Sequence, residues 1–174
     1  MENKSLTRIT PDDLQAFRIG ISSMTVGSSR FNPIWLKSKD WEVIPFESRM
    51  TERDAVNIAK ACIGLPSKIC VGLTIEDSID NEGYQFAPTA EALRTVSFEL
   101  GPYNYALFAD DYSFLYLRPF GLYSLLGGEK PFLETALGTS IEDAFQDFLR
   151  FAEDAAWDVG DRQQLLAVAD TYRP

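Results

Sequence analysis

The sequence predicts an α+β fold in one domain spanning residues 1–174, an antiparallel sheet packed by helices on one side, on three observations. Three apolar stretches within residues 105–126 are joined by connections far too short for parallel crossovers, so they form a β-meander. Helical stripes bracket that meander in the chain, opened at Thr51, at Pro88-Thr89 and at Ser140. The third observation is size and composition. A chain of 174 residues, 45% hydrophobic and 13% aromatic with twelve Phe, is too apolar for disorder despite a net charge of −10. Its length allows burial of roughly 70% of the surface that the unfolded form exposes, enough for one core without a metal or disulfide staple.

In chain order, Thr10-Pro11-Asp12-Asp13 opens a short helix, with Thr10 as N-cap, Pro11 at N1 and two carboxylates beside the positive end of the dipole. Residues 22–29 are small and polar and include a glycine, which predicts a loop. Ile34-Trp35-Leu36 and Trp41-Glu42-Val43-Ile44 have the β-branched and aromatic content of two strands, hairpinned around a polar turn at 37–40. Thr51 caps a helix whose apolar positions Ala55, Ile58, Ala59 and Cys62 recur at three and four residues, and Gly64 and Pro66 stop it. Residues 69–75 read as a buried strand, 76–83 as an acidic loop and 84–87 as a short extended piece. Ala92, Leu93 and Val96 are the inner positions of the next helix. The meander strands Tyr105-Ala106-Leu107-Phe108, Ser113-Phe114-Leu115-Tyr116-Leu117 and Leu122-Tyr123-Ser124-Leu125-Leu126 follow. Gly127-Gly128 ends them, and residues 129–137 form a short helix stopped at Gly138.

The strongest helical pattern covers residues 141–157. Ser140 is its N-cap and Asp143, at N3, plays the capping-box carboxylate. Ile141, Phe145, Phe148, Leu149 and Ala152 make the buried stripe, while Asp143, Asp147, Arg150, Asp154 and Asp158 share the opposite face. Gly160 breaks it before a last helical segment through Leu165, Leu166 and Val168.

The chain has no histidine, which removes the side chain most readily poised for proton transfer or metal ligation near neutral pH. The loop from Glu76 to Gly83 clusters oxygens as hard cations require. Aligning Gly83 with the sixth position of an EF-hand loop, however, puts Ser78 first and Thr89 last, so both anchors fail and a solvated loop is expected. Asp110-Asp111 invites comparison with the paired carboxylates of glycosidases, but neighbouring strand residues point to opposite faces, and Asp at a hairpin tip is turn chemistry. There is no Gly-x-Ser-x-Gly, Gly127-Gly128 is followed by a repelling Glu129, and a nucleophilic Cys62 or Cys70 lacks an imidazole partner. The two cysteines are expected as reduced, buried thiols, since a disulfide demands Cα atoms within about 7 Å. No catalytic residue, metal or cofactor is expected. No run approaches the ~20 apolar residues that span a bilayer, and no apolar signal core follows Met1, so a cytoplasmic protein without membrane contact is the reading.

Charge is distributed unevenly. Residues 1–50 carry seven basic and six acidic side chains, residues 101–174 five and twelve, and residues 140–170 eight acidic ones against Arg150 and Arg162. One reading is a solvated helix face on which Arg150 pairs with Asp147 and Asp154, at about 0.2–0.5 kcal/mol each. The other is a surface for a basic protein, where complementary charge speeds encounter and rejects wrong partners. The same excess of carboxylate disfavours nucleic acid. Aromatic anchors framed by carboxylates suit a protein-binding hot spot, and Trp35, Trp41, Tyr103, Tyr105, Tyr112 and Tyr116 include residues at loop edges as well as core. The candidate partner-binding residues are therefore Asp110, Asp111 and Tyr112 at the meander tip with Asp143, Asp147 and Asp154 on the long helix.

The order helix, strand, acidic loop, helix, then the meander from Tyr105 to Leu117 and the helix opening Gly-Gly-Glu-Lys-Pro-Phe-Leu-Glu, resembles small acidic bacterial immunity proteins of polymorphic toxin systems, of the contact-dependent inhibition type. The resemblance covers roughly residues 50–140. It implies a cytoplasmic, non-enzymatic protein that binds and blocks a cognate basic toxin domain. Two other readings stay open. One is an adaptor or effector-chaperone-like binding protein. The other is a carboxylate- and metal-dependent enzyme, in which Glu76, Asp77, Asp80 or Glu82 would converge with Asp110 or Asp111.

Overall fold

The computed structural model describes residues 6–75, 82–119, 121–154 and 156–174. The first half of the chain forms β1 (Leu6–Arg8), α1 (Pro11–Met24), β2 (Thr25–Val26), β3 (Arg30–Phe31), α2 (Pro33–Lys39), β4 (Glu42–Glu47), α3 (Glu52–Ile63), β5 (Cys70–Thr74) and β6 (Gly83–Phe86). The second forms α4 (Ala90–Glu99), β7 (Tyr105–Ala109), β8 (Phe114–Arg118), β9 (Tyr123–Gly128), α5 (Lys130–Leu137), α6 (Ile141–Ala152) and α7 (Val159–Thr171). One antiparallel sheet runs β1-β6-β5-β7-β8-β9-β4, and β2 pairs with β3 as a separate hairpin. The fold is α+β as predicted, and β7, β8 and β9 are the predicted meander, in the register Phe108↔Leu115 and Leu117↔Leu125. Among the described residues no helix is long and apolar enough to cross a membrane.

Side-chain alternation along β7 sets the layers. Tyr105, Leu107 and Ala109 belong to one core and Ala106 and Phe108 to another, and all five are buried. The first core is closed by α3, α4 and α5 through Ile58, Leu93, Val96 and Leu133, and the second by α1, α6 and α7 through Ile21, Phe148 and Leu165. Helices therefore cover both faces of the sheet rather than the one face expected. Continuous apolar runs such as Tyr105-Ala106-Leu107-Phe108 are what a strand buried on both sides requires, whereas a sheet wet on one face alternates. α6 packs along edge strand β4, with Ile141 in the first core and Phe145 and Phe148 in the second. That placement covers an edge that would otherwise template pairing with another chain.

Local capping overrode the expected hairpin. The Asn32 side chain accepts from the backbone N–H of Ile34 at 3.0 Å and of Trp35 at 3.5 Å, Pro33 sits in the first turn, and residues 33–39 are helix. α2 stops at Asp40, whose φ of 54° is left-handed, and the Trp35 and Trp41 rings meet edge to face at 4.4 Å. Strand structure begins only at Glu42, in a β4 paired with β9. The first helix is not short: it continues to Met24 because Ile21 and Met24 reach the core, which leaves residues 27–29 as the turn between β2 and β3. The predicted helix to Trp157 ends at Ala152. Trp157 folds back, its Nε1–H donating to the Phe151 carbonyl at 2.8 Å, and Asp158 caps α7 so that Gly160 lies inside a first turn instead of breaking a helix.

Candidate protein-binding surface

The β7–β8 turn is at the end of the sheet where Cys70, Ala109, Phe114 and Gly128 lie. Asp111 uses both carboxylate oxygens there: Oδ1 accepts from the Ser113 N–H at 3.0 Å and Oδ2 from the Ser67 N–H at 3.2 Å. It is a turn residue that also ties the meander to the loop before β5. The Asp110 N–H extends the ladder to the Ile69 carbonyl at 3.1 Å. Lys68 folds the same loop back, its ammonium donating to the carbonyls of Ile63 at 2.7 Å and Leu65 at 2.6 Å at the C-terminus of α3.

Two aliphatic side chains of this region are exposed: Ile69, whose carbonyl accepts the Asp110 N–H, at 44%, and Ile63, whose carbonyl accepts from Lys68, at 75%. An apolar centre with a charged rim is the anatomy of a protein interface. Sequence reasoning missed both residues: Ile63, four residues after Ala59, continues the spacing of Ala55, Ile58, Ala59 and Cys62, so no pattern marked it as outward-facing. Tyr112, by contrast, turns inward. Its φ is 57°, and its ring stacks on Phe108 with centroids 5.4 Å apart. Burial, and secondarily the charge of Asp110, raises its hydroxyl above the ordinary tyrosine range.

The carboxylates of α6 stand elsewhere. Asp143, Asp147 and Asp154 are all exposed. Ser140 Oγ accepts from the Asp143 N–H at 3.1 Å and donates to its Oδ2 at 2.9 Å, while the full reciprocal capping box is made by Thr51 and Asp54 at the head of α3. Arg150 pairs with Asp147, and the pair is solvent-exposed and so contributes little stability. The expected Arg150–Asp154 pair does not form, because Asp154 lies past the end of α6 and its Oδ1 accepts from the Ala156 N–H at 2.8 Å. Asp147 lines an open groove of about 350 Å³ with Phe46 and Glu47. Those two residues belong to the far end of β4, opposite Ser124 and Tyr123, so the predicted residues divide between two separate surfaces.

Glu82 and Asp110 lie at opposite ends of β5, the former bonded through its carbonyl to the Thr74 N–H at 3.0 Å and the latter to Ile69. Glu82 Oε1 meets Arg8 Nη2 at 3.2 Å, so it does not converge with Asp110 or Asp111. Glu76, Asp77 and Asp80 lie outside the described residues, among which no cluster of three His, Cys, Asp or Glu side chains could hold a metal. Cys62 and Cys70 are free and buried. The hydrogen bond from Cys62, then burial, push the Cys70 thiol far above its ordinary value, the opposite of what a nucleophile needs. In comparisons with known proteins, the chain matches no family model, no curated protein and no solved structure.

Proposed function

We propose that this chain is a non-enzymatic protein-binding inhibitor that acts in the cytoplasm and neutralises a basic toxin domain, the role that the resemblance to immunity proteins implies. The observation that carries the reading is the exposed carboxylate face of Glu142, Asp143 and Asp147 on α6, with Asp154 and Asp158 also exposed in the segment after it, on a chain of net charge −10. Such a face repels itself in isolation and gains most from a cationic partner, whose approach it accelerates. The region of the meander tip adds exposed apolar area at Ile63 and Ile69 that gains from desolvation, and Asp110 and Asp111, bonded to the backbone of Ile69 and Ser67, add carboxylates to it.

The test begins with recovery of the partner at low salt, its toxicity when expressed alone, and rescue by co-expression of this chain. Stopped-flow association is then followed for the Asp147→Lys, Asp154→Lys double variant. The expected result is an on-rate lower by about tenfold with a flatter salt dependence. Unchanged association kinetics remove the α6 face from the reading, and failure to rescue the toxic partner removes the inhibitor role.

A further inference from the structure

At the sheet end opposite the meander tip, Tyr105 of β7 pairs with Arg118 of β8. Arg118 is held rigidly: Nε donates to the Ser48 carbonyl at 2.9 Å, Nη1 to the Gly101 carbonyl at 2.6 Å, and the guanidinium lies over the Tyr105 ring, 5.7 Å from its centroid. Hydroxyl pairs brace the same floor, Ser97 with Tyr105 and Tyr116 with Ser124 at 3.0 Å, and Ser124 Oγ donates on to the Ser48 carbonyl at 3.1 Å. Above this floor opens a groove of about 710 Å³ between the loop before α3 and the C-terminal half of α4. Three guanidinium groups, Arg49, Arg94 and Arg118, line it against the single carboxylate of Glu99, in a chain that is otherwise strongly acidic.

Phe98 stands on the rim, 82% exposed, on the side of α4 turned away from the buried Ala92, Leu93 and Val96. It also borders a second open groove of about 460 Å³ that continues along α4 past Arg94 and includes Glu52 and Glu91. Arg94 meets Glu52 only in an exposed pair at 3.7 Å, which a better-placed carboxylate can replace.

We propose that the larger groove docks the acidic part of an extended segment of a partner protein, its carboxylates meeting Arg49 and Arg94 beside Arg118, with one apolar side chain covering Phe98 and uncharged residues continuing past Glu52 and Glu91. Charge selects the occupant. Guanidinium groups match carboxylates, and in the larger groove three of them stand against the single carboxylate of Glu99, in a chain of net charge −10. Shape selects its form. Two open grooves meeting at Arg94 and Phe98 follow a chain in extended conformation, whereas small-molecule sites enclose most of their ligand. The site is distinct from the carboxylate face and does not rest on the inhibitor reading.

The experiment is an amide-resolved NMR titration of the intact chain with an acetylated, amidated hexapeptide alternating Glu with Leu and Phe, taken to about 5 mM, a range that detects millimolar affinity. Saturating shifts at Arg94, Phe98 and Gly101 that shrink with added salt are expected. Arg94→Glu weakens binding by at least about tenfold, Phe98→Ala weakens it with charge unchanged, and the same peptide with Lys in place of Glu produces no shifts at these residues. Absence of shifts with the acidic peptide, shifts at other residues, or binding indifferent to Arg94→Glu overturns the proposal.

Discussion

The rings of Phe108 and Tyr112 stack with centroids 5.4 Å apart and planes 5° from parallel, and the outer face of the clasp closes on Gly20, where a Cβ would overlap the Tyr112 hydroxyl. Tyr112 thus fastens α1 to the meander. In a helix, Gly to Ala ordinarily stabilises by roughly 0.5–1 kcal/mol. Here the sign reverses: Gly20→Ala loses about 1–3 kcal/mol by overpacking, measured by urea unfolding. In a Tyr112→Ala background the same substitution is neutral or stabilising, because the atoms it strikes are gone. A stabilising Gly20→Ala in the otherwise native chain shows that the clasp does not form.

Arg118 joins the loop before α3 to the loop after α4 by donating to the carbonyls of Ser48 and Gly101. Lysine keeps the charge but cannot present two donors in a fixed fork. Arg118→Lys is expected to lose about 2 kcal/mol, within the range for hydrogen bonds made by a charged group, and to lower the melting temperature accordingly. A melting temperature equal to that of the native chain means that the guanidinium does not hold these loops.

Local chemistry was legible and long-range chemistry was not. Thr10, Thr51, Thr89 and Ser140 each accept the N–H three residues on, a single bond that one short stretch of sequence decides. Thr51 adds the reciprocal bond from its own N–H to Asp54 Oδ2 at 2.8 Å, so Thr51→Ala should cost about 1 kcal/mol in chemical unfolding, and a change near zero would show that the box contributes nothing. Residues 34–36 misled because Ile and Trp content outweighed the adjacent Asn32-Pro33 start signal. The seven-strand order depended on β1 and β4 reaching β6 and β9, pairings that no local pattern encodes, whereas burial of the sheet on both faces was written in the continuous apolar run Tyr105-Ala106-Leu107-Phe108. The carboxylate of Asp111 read correctly as turn chemistry, accepting from the Ser113 N–H, but Arg49, Arg94 and Arg118 come from three distant segments and meet only through the fold.

Cys62 and Cys70 are each 1% exposed, with their thiols in hydrogen-bond contact. The Cys62 contact and burial raise the Cys70 pKa, so the thiolate that attacks a disulfide is scarce in the native state. An aromatic disulfide reagent at about pH 8 should label neither cysteine of the native protein within minutes, and both of them in concentrated urea. Rapid labelling of the native chain would mean that one thiol is open to solvent.

Three buried tyrosines and one half-buried one make the fold sensitive to alkali. Burial raises the hydroxyls of Tyr105, Tyr123 and Tyr172 above the ordinary value of 10.0 and that of Tyr116 well above it, with the neighbouring Tyr105 adding to the Tyr116 shift. Above the unfolded value, the unfolded chain ionises while the native chain keeps its protons, so the native state binds more protons and stability falls with pH. Below that value both states are protonated and this contribution is fully present. The urea midpoint should therefore drop as pH rises through about 10. Tyr116→Phe flattens that drop at a modest loss near neutrality, about 1 kcal/mol, because Ser124 keeps its bond to the Ser48 carbonyl when the Tyr116 hydroxyl is removed. A slope that Tyr116→Phe leaves unchanged would assign the alkaline loss to other groups.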